Sequence, residues 1–140
     1  MDFGVYDIDK KQQFIKEIRD KYSVSEDEFV FGFTGRLNAD KGINELLSAY
    51  RALVHNHKNT KLFLVGMNEE QNAPDKELLQ WAEESKNVII TGNVPPKEVA
   101  KYMSAFDIMV HPTYREGFSM VMQEAMAMEV PIITTDIPGP

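Results

Sequence analysis

Two glutamates, Glu116 and Glu124, stand eight residues apart in EGFSMVMQE, a segment that opens as a glycine turn and continues as a helix. Eight helical steps of about 1.5 Å put the carboxylates roughly 12 Å apart, and less if the first lies in the turn. Glycosidase carboxylates that act on one bond sit about 5 to 9.5 Å apart, so this pair is too widely spaced for that work. It suits a ligand with a hydroxyl-bearing group at each end and an anion between. The helix start between the glutamates offers the anion free backbone N–H groups and the positive end of the dipole. A nucleotide-sugar has that layout, with hexose, diphosphate and ribose in a row. Acids also favour first turns and exposed faces on their own account, so spacing alone leaves both readings open. Context favours the ligand: Pro112, Gly117 and the loop TYREGF follow a strand-like DIMVH. In open α/β sheets, ligands bind beyond the carboxyl ends of strands.

A second candidate constellation is basic. Gly35-Arg36 closes a strand-like run and Lys41-Gly42 opens the next helix. Arg36 offers a planar fork and Lys41 a compact charge, and the two can converge on a diphosphate. The loop lies beside the EGFSM turn if the strands order as in a Rossmann sheet, where the first and fourth are neighbours. Gly32 and Gly35 give only GxxG, and no Walker lysine follows, which disfavours NAD binding and P-loop chemistry. Asp7-Ile8-Asp9 matches the short DxD pattern that holds a divalent metal in some glycosyltransferases. It precedes an amphipathic helix instead of following a strand, so it reads as a cluster of acids at a helix start, and no metal is expected. His55 and His57 fall at a helix end and read as solvated, while His111 closes a strand beside Pro112 and reads as structural. Four methionines within Met120 to Met128 read as core filler.

The elements that must position these groups alternate along the chain. Helices are expected over about Asp9–Tyr22, Lys41–His55, Asp75–Ser85, Pro95–Phe106 and Phe118–Met128. Apolar strands are expected at FVFGFTG, KLFLVG, VIIT, DIMVH and PIITT. FVFGFTG is nearly continuously apolar, the mark of a strand covered on both faces. Strands separated by helices imply right-handed crossovers and an α/β fold with a doubly wound parallel sheet, in the order 3-2-1-4-5. The ending DIPGP, directly after a strand, leads us to expect one incomplete domain over residues 1–140.

Composition limits the function classes. A net charge of −7 argues against a nucleic-acid platform, which carries a basic patch. With no cysteine there is no disulfide framework, thiol nucleophile or cysteine metal site. No apolar run reaches the length of a membrane span, and MDFGVYDIDKK does not read as a signal peptide, so a cytoplasmic location is the expectation.

Together, GFTGRLNADKG, LFLVG, VIITGNVP and MVHPTYREGFSMVMQEAMAMEVPIITTDIPG resemble the C-terminal half of glycosyltransferase family 4. These are retaining enzymes of the two-domain GT-B architecture, with a Rossmann-like donor domain. The resemblance covers nearly the whole chain from Phe29. It implies that Arg36 and Lys41 grip the donor diphosphate and that Glu116 contacts the hexose hydroxyls as the catalytic glutamate. It implies further that backbone amides of Gly117, Phe118, Ser119 and Met120 meet sugar and phosphate, and that Glu124 binds the ribose. Asn93 and Val94 match positions that contact the base through backbone. No cofactor is implied. The family's complete enzyme has an N-terminal domain carrying the acceptor site, so this chain alone is expected to bind donor without turnover, and to reach a membrane surface only through that missing half. Glu129 stands where the family usually has glycine, which should alter a turn. TDIPGP with YREGFSMVMQEA is similar to members that build capsular or surface polysaccharides, often from UDP-sugars. The rivals are a GT-B-like nucleotide-sugar epimerase and a non-catalytic α/β domain such as a receiver. The epimerase would bring further acids and a histidine to the cleft. A receiver needs a phosphoacceptor aspartate at a strand's carboxyl end, whereas Asp107 begins its strand.

Overall fold

The computed structural model describes residues 7–112 and 120–134. Its strands are β1 (Phe29–Thr34), β2 (Thr60–Val65), β3 (Val88–Gly92), β4 (Ile108–His111) and β5 (Ile132–Thr134). The helices are α1 (Lys11–Lys21), α2 (Ile43–Val54), α3 (Lys76–Glu84), α4 (Val99–Ser104) and α5 (Met120–Ala127). The sheet runs β3-β2-β1-β4-β5 and every strand pair in it is parallel, as expected from the sequence.

Strand alternation divides the apolar side chains between two cores. On β2, Leu62 and Leu64 join Phe33, Ile43, Leu47 and Ala82 on the face covered by α2 and α3. Phe63 and Val65 point the other way, toward Phe14 and Ile18 of α1, Met103 of α4 and Ala125 of α5. Full burial of each such side chain stabilises the fold by about 1.5 to 3 kcal/mol relative to exposure. Because helices cover both faces, the strands read as continuous apolar runs. The crossovers diverge between β1 and β4, which opens a crevice at their carboxyl ends.

Several boundaries differ from the sequence reading. The helix expected from Lys41 begins instead as a tight 3-10 turn, Ala39–Lys41, capped by Asn38, whose Oδ1 accepts the Lys41 N–H at 2.9 Å. Gly42 then takes φ +77° before α2 starts, and a Cβ there would meet the Pro112 carbonyl oxygen at 1.9 Å. The break therefore seats the start of α2 against the end of β4. The helix expected over Pro95–Phe106 is a 3-10 turn, Pro96–Glu98, followed by the short α4. Its last turn tightens, with Ala105 and Phe106 N–H groups donating to carbonyls three residues back.

The methionine expectation fails in part. Met128 is fully buried, but Met120 and Met126 are 52% and 61% exposed. Val121, Ala125 and Met128 share the inner face of α5 by their three- and four-residue spacing, and Met126 lies about a quarter turn beyond it. Asp7 Oδ1 accepts the Asp9 N–H at 3.0 Å, so the acidic pair caps the first turn, as read. Glu129 adopts φ +56°, a left-handed position where glycine is at ease.

Candidate functional site

Three loops meet at the carboxyl ends of β1, β2 and β3. The pairing of β1 with β2 continues past the strands: Gly35 N–H donates to Val65 O at 3.0 Å and Leu37 N–H to Met67 O at 3.1 Å. Gly66, at φ +153°, lets the two backbones touch, since a Cβ there would lie 1.8 Å from the Gly35 carbonyl oxygen. A cleft of about 290 Å³ opens above this seam. β1 and its loop contribute Thr34, Gly35 and Arg36, and the β3 loop contributes Asn93 and Val94. Val121 and Glu124 of α5 close the opposite wall.

Of the residues expected from sequence, Arg36, Asn93, Val94 and Glu124 are thus brought to one cleft. Lys41 and Met120 do not line it. Lys41 sits in the turn that Asn38 caps, one residue before the Gly42–Pro112 contact. Met120 begins α5. Glu116, Gly117, Phe118 and Ser119 lie outside the described residues.

Charge in this region is organised by a residue the sequence reading missed. Glu69 Oε2 lies 3.8 Å from Arg36 Nη1 and accepts a hydrogen bond from Asn38 Nδ2 at 3.3 Å. Asn38 is buried, so its amide links Glu69 to the turn carrying Lys41. The Arg36 side chain is 74% exposed, and so open a pair is worth about 0 to 1 kcal/mol. Arg36 is therefore held loosely while Asn38 is held firmly. An acid in the irregular loop after β2 carries no periodic signal that would have singled it out.

A larger cleft of about 470 Å³ lies between α1 and α4 and shares Asn93 and Val94. Its charged and phenolic side chains pair with one another. Lys101 pairs with Glu17 and Glu98, each at 3.2 Å, and the Tyr22 and Tyr102 hydroxyls meet at 2.9 Å. Burial, then the bond to Tyr102, pushes the Tyr22 hydroxyl well above its usual value. This is a helix–helix seam and not a reactive cluster. Asp107 sits at the amino end of the sheet, accepting the Val30 N–H at 2.7 Å, so it is structural and far from the crevice. His111 is buried at the end of β4, and its carbonyl accepts from Thr134 Oγ1 at 3.2 Å, while His55 and His57 are exposed. Among the described residues no cluster of metal-ligating side chains occurs and no helix is long and apolar enough to cross a membrane.

A parallel sheet with its crevice at a switch point, lined by a cation and a carboxylate, is a Rossmann-like α/β fold of the kind found in the C-terminal domains of GT-B proteins. The chain belongs to the family described as glycosyl transferases group 1, whose model matches residues 14–140. It is 35% identical over 88% of its length to the capsular polysaccharide biosynthesis glycosyltransferase CapM of Staphylococcus aureus, covering 32% of that protein. It is 32% identical over 79% of its length to the lipopolysaccharide 1,2-N-acetylglucosaminetransferase of Salmonella typhimurium, covering 31%. Among solved structures, Anabaena HepE in complex with UDP superposes with a TM-score of 0.77 at 27% identity, over 95% of this chain and 37% of that one. The chain spans about a third of the length of these relatives.

Proposed function

We propose that this chain is the donor-binding C-terminal domain of a retaining glycosyltransferase of family 4, which moves a hexose from a nucleoside diphosphate sugar to a glycan or lipid-linked acceptor. A UDP-sugar is the favoured donor, and surface polysaccharide synthesis the favoured setting. HepE, with a similar fold, was solved with UDP, and CapM acts in capsule synthesis. The observation that carries this reading is the convergence of Arg36, Asn93, Val94 and Glu124 on one cleft at the strand ends.

In this arrangement Asn93 and Val94 meet the base, Glu124 accepts from the ribose hydroxyls, and Arg36 offsets the diphosphate charge from within the cleft, with Lys41 adding its charge from the turn that Asn38 caps. Backbone amides of the segment Gly117 to Met120 serve that anion site as further donors. Charge gathers on the diphosphate as the bond to the anomeric carbon breaks, so cations and amides placed there favour the transition state over the ground state. Glu116 orients the hexose. The acceptor binds on a separate N-terminal domain, and the reaction takes place at the cytoplasmic face of a membrane surface reached through that domain.

The test is a thermal-shift panel of nucleotide-sugars against the chain, followed by calorimetry with the best ligand. A UDP-sugar should raise the unfolding midpoint most. Arg36→Ala and Lys41→Ala should each weaken binding by about 1.5 to 3 kcal/mol, the range for hydrogen bonds to charged groups. Unchanged affinity in both variants removes the loop from the site, and no stabilisation by any nucleotide overturns the reading.

A further inference from the structure

Thr34 is the last residue of β1, is 7% exposed and lines the cleft beside Gly35 and Arg36. Its Oγ1 is shut off from solvent and has no hydrogen-bond partner among the described residues. A buried hydroxyl in that state destabilises the fold, whereas a valine of the same shape would not. Two other buried hydroxyls show the usual remedy: Thr60 Oγ1 donates to His57 O at 2.9 Å and Ser104 Oγ to Ala100 O at 2.7 Å. Thr34 departs from them, and it does so at the carboxyl end of the strand that borders the switch point, where an α/β sheet takes its ligand.

We propose that Thr34 contacts the ligand, its hydroxyl donating a hydrogen bond to a phosphate oxygen of a nucleoside diphosphate lying in the cleft. The inference rests on the donor-site reading above and adds a residue to it. Phosphate is the partner because of what surrounds the hydroxyl. Arg36 stands two positions on and lines the same cleft, as do Gly35 and Gly66, so a cation and side-chain-free backbone border the hydroxyl. A hydroxyl meeting an ionised oxygen makes a charge-assisted bond, about twice as strong as a neutral one. Thr34 touches the cleft while Oγ1 itself is closed to solvent, so rotation about χ1 is the motion that presents the hydroxyl to the ligand. Serving the ligand at the expense of the empty fold explains why the position is not filled by an apolar residue of equal size.

The experiment compares the chain with Thr34→Val and Thr34→Ser, titrating UDP and uridine by calorimetry and following thermal unfolding without ligand. Thr34→Val should weaken UDP about tenfold, leave uridine unchanged, and leave the unfolding midpoint equal or higher. Thr34→Ser, which keeps the hydroxyl, should restore UDP affinity. Unchanged UDP affinity in Thr34→Val, with a lower midpoint, would show that the hydroxyl serves the fold through a trapped water and would overturn the proposal. An equal loss for UDP and uridine would overturn it too, since that marks general distortion of the cleft. Arg36→Ala separates the two levels. If it weakens UDP and Thr34→Val does not, only Thr34 is misassigned; if neither weakens UDP, the donor-site reading itself falls.

Discussion

Glu124 lines the cleft from α5, whereas Glu116 belongs to the segment outside the described residues, and the two are proposed to serve opposite ends of one ligand. Their eight-residue spacing, at about 1.5 Å per helical step, corresponds to roughly 12 Å, too far for one sugar ring to engage both. Glu124→Gln should weaken free nucleoside diphosphate and intact donor alike. Glu116→Gln should spare the free nucleotide and lower transfer from the donor. Calorimetry with UDP and a product assay on a two-domain protein read these separately, and equal loss of UDP binding in both variants would refute the division. Arg36 and Glu124 were legible in the sequence because a strong cation and a carboxylate at strand and helix ends are unusual enough to register. Thr34 and Glu69 were not. A threonine ending an apolar strand looks like any β-branched residue, and its orphaned hydroxyl exists only once the fold has closed around it.

At the scale of elements, two connections carry measurable energy. Glu28, just before β1, pairs with Lys61 of β2 at 2.8 Å, and both are largely buried. Burial pushes the Glu28 carboxyl up, but bonds from Lys61 and Ser25 outweigh it and hold the carboxyl below its usual value. A lowered folded value means the pair adds stability above the unfolded pKa of about 4.3 and loses it as pH falls through the folded value. Glu28→Gln should therefore cost about 1 kcal/mol at neutral pH and flatten the acid decline, as read by denaturant titrations across the pH range. The second connection is the turn after α5. Glu129 holds φ +56°, and a left-handed non-glycine residue costs about 1 to 2 kcal/mol. Glu129→Gly should raise stability by about 1 kcal/mol, and a fall in the unfolding midpoint would contradict it. Glu129 stands out in the sequence by its departure from the family's glycine. The start of α2 does not, because the Asn38 cap and the Gly42 break are local backbone events that apolar periodicity does not record.

For the molecule as a whole, strand order and both core faces followed from alternation of apolar strands with amphipathic helices, since a sheet with helices on both sides leaves that imprint throughout. What did not follow was the joining of loops beyond the strands. The continued pairing of Gly35 with Val65 and Leu37 with Met67, tightened where Gly35 and Gly66 touch, makes the floor of the crevice an extension of the sheet. Loops at ligand sites commonly open easily. Here the amide of Leu37, residing on a fully buried residue, should exchange with deuterium almost as slowly as those of β1 itself, even with the crevice empty. The entropy of ordering this half of the site is then already spent when the nucleotide arrives, and association should show little of the slow phase that accompanies loop folding.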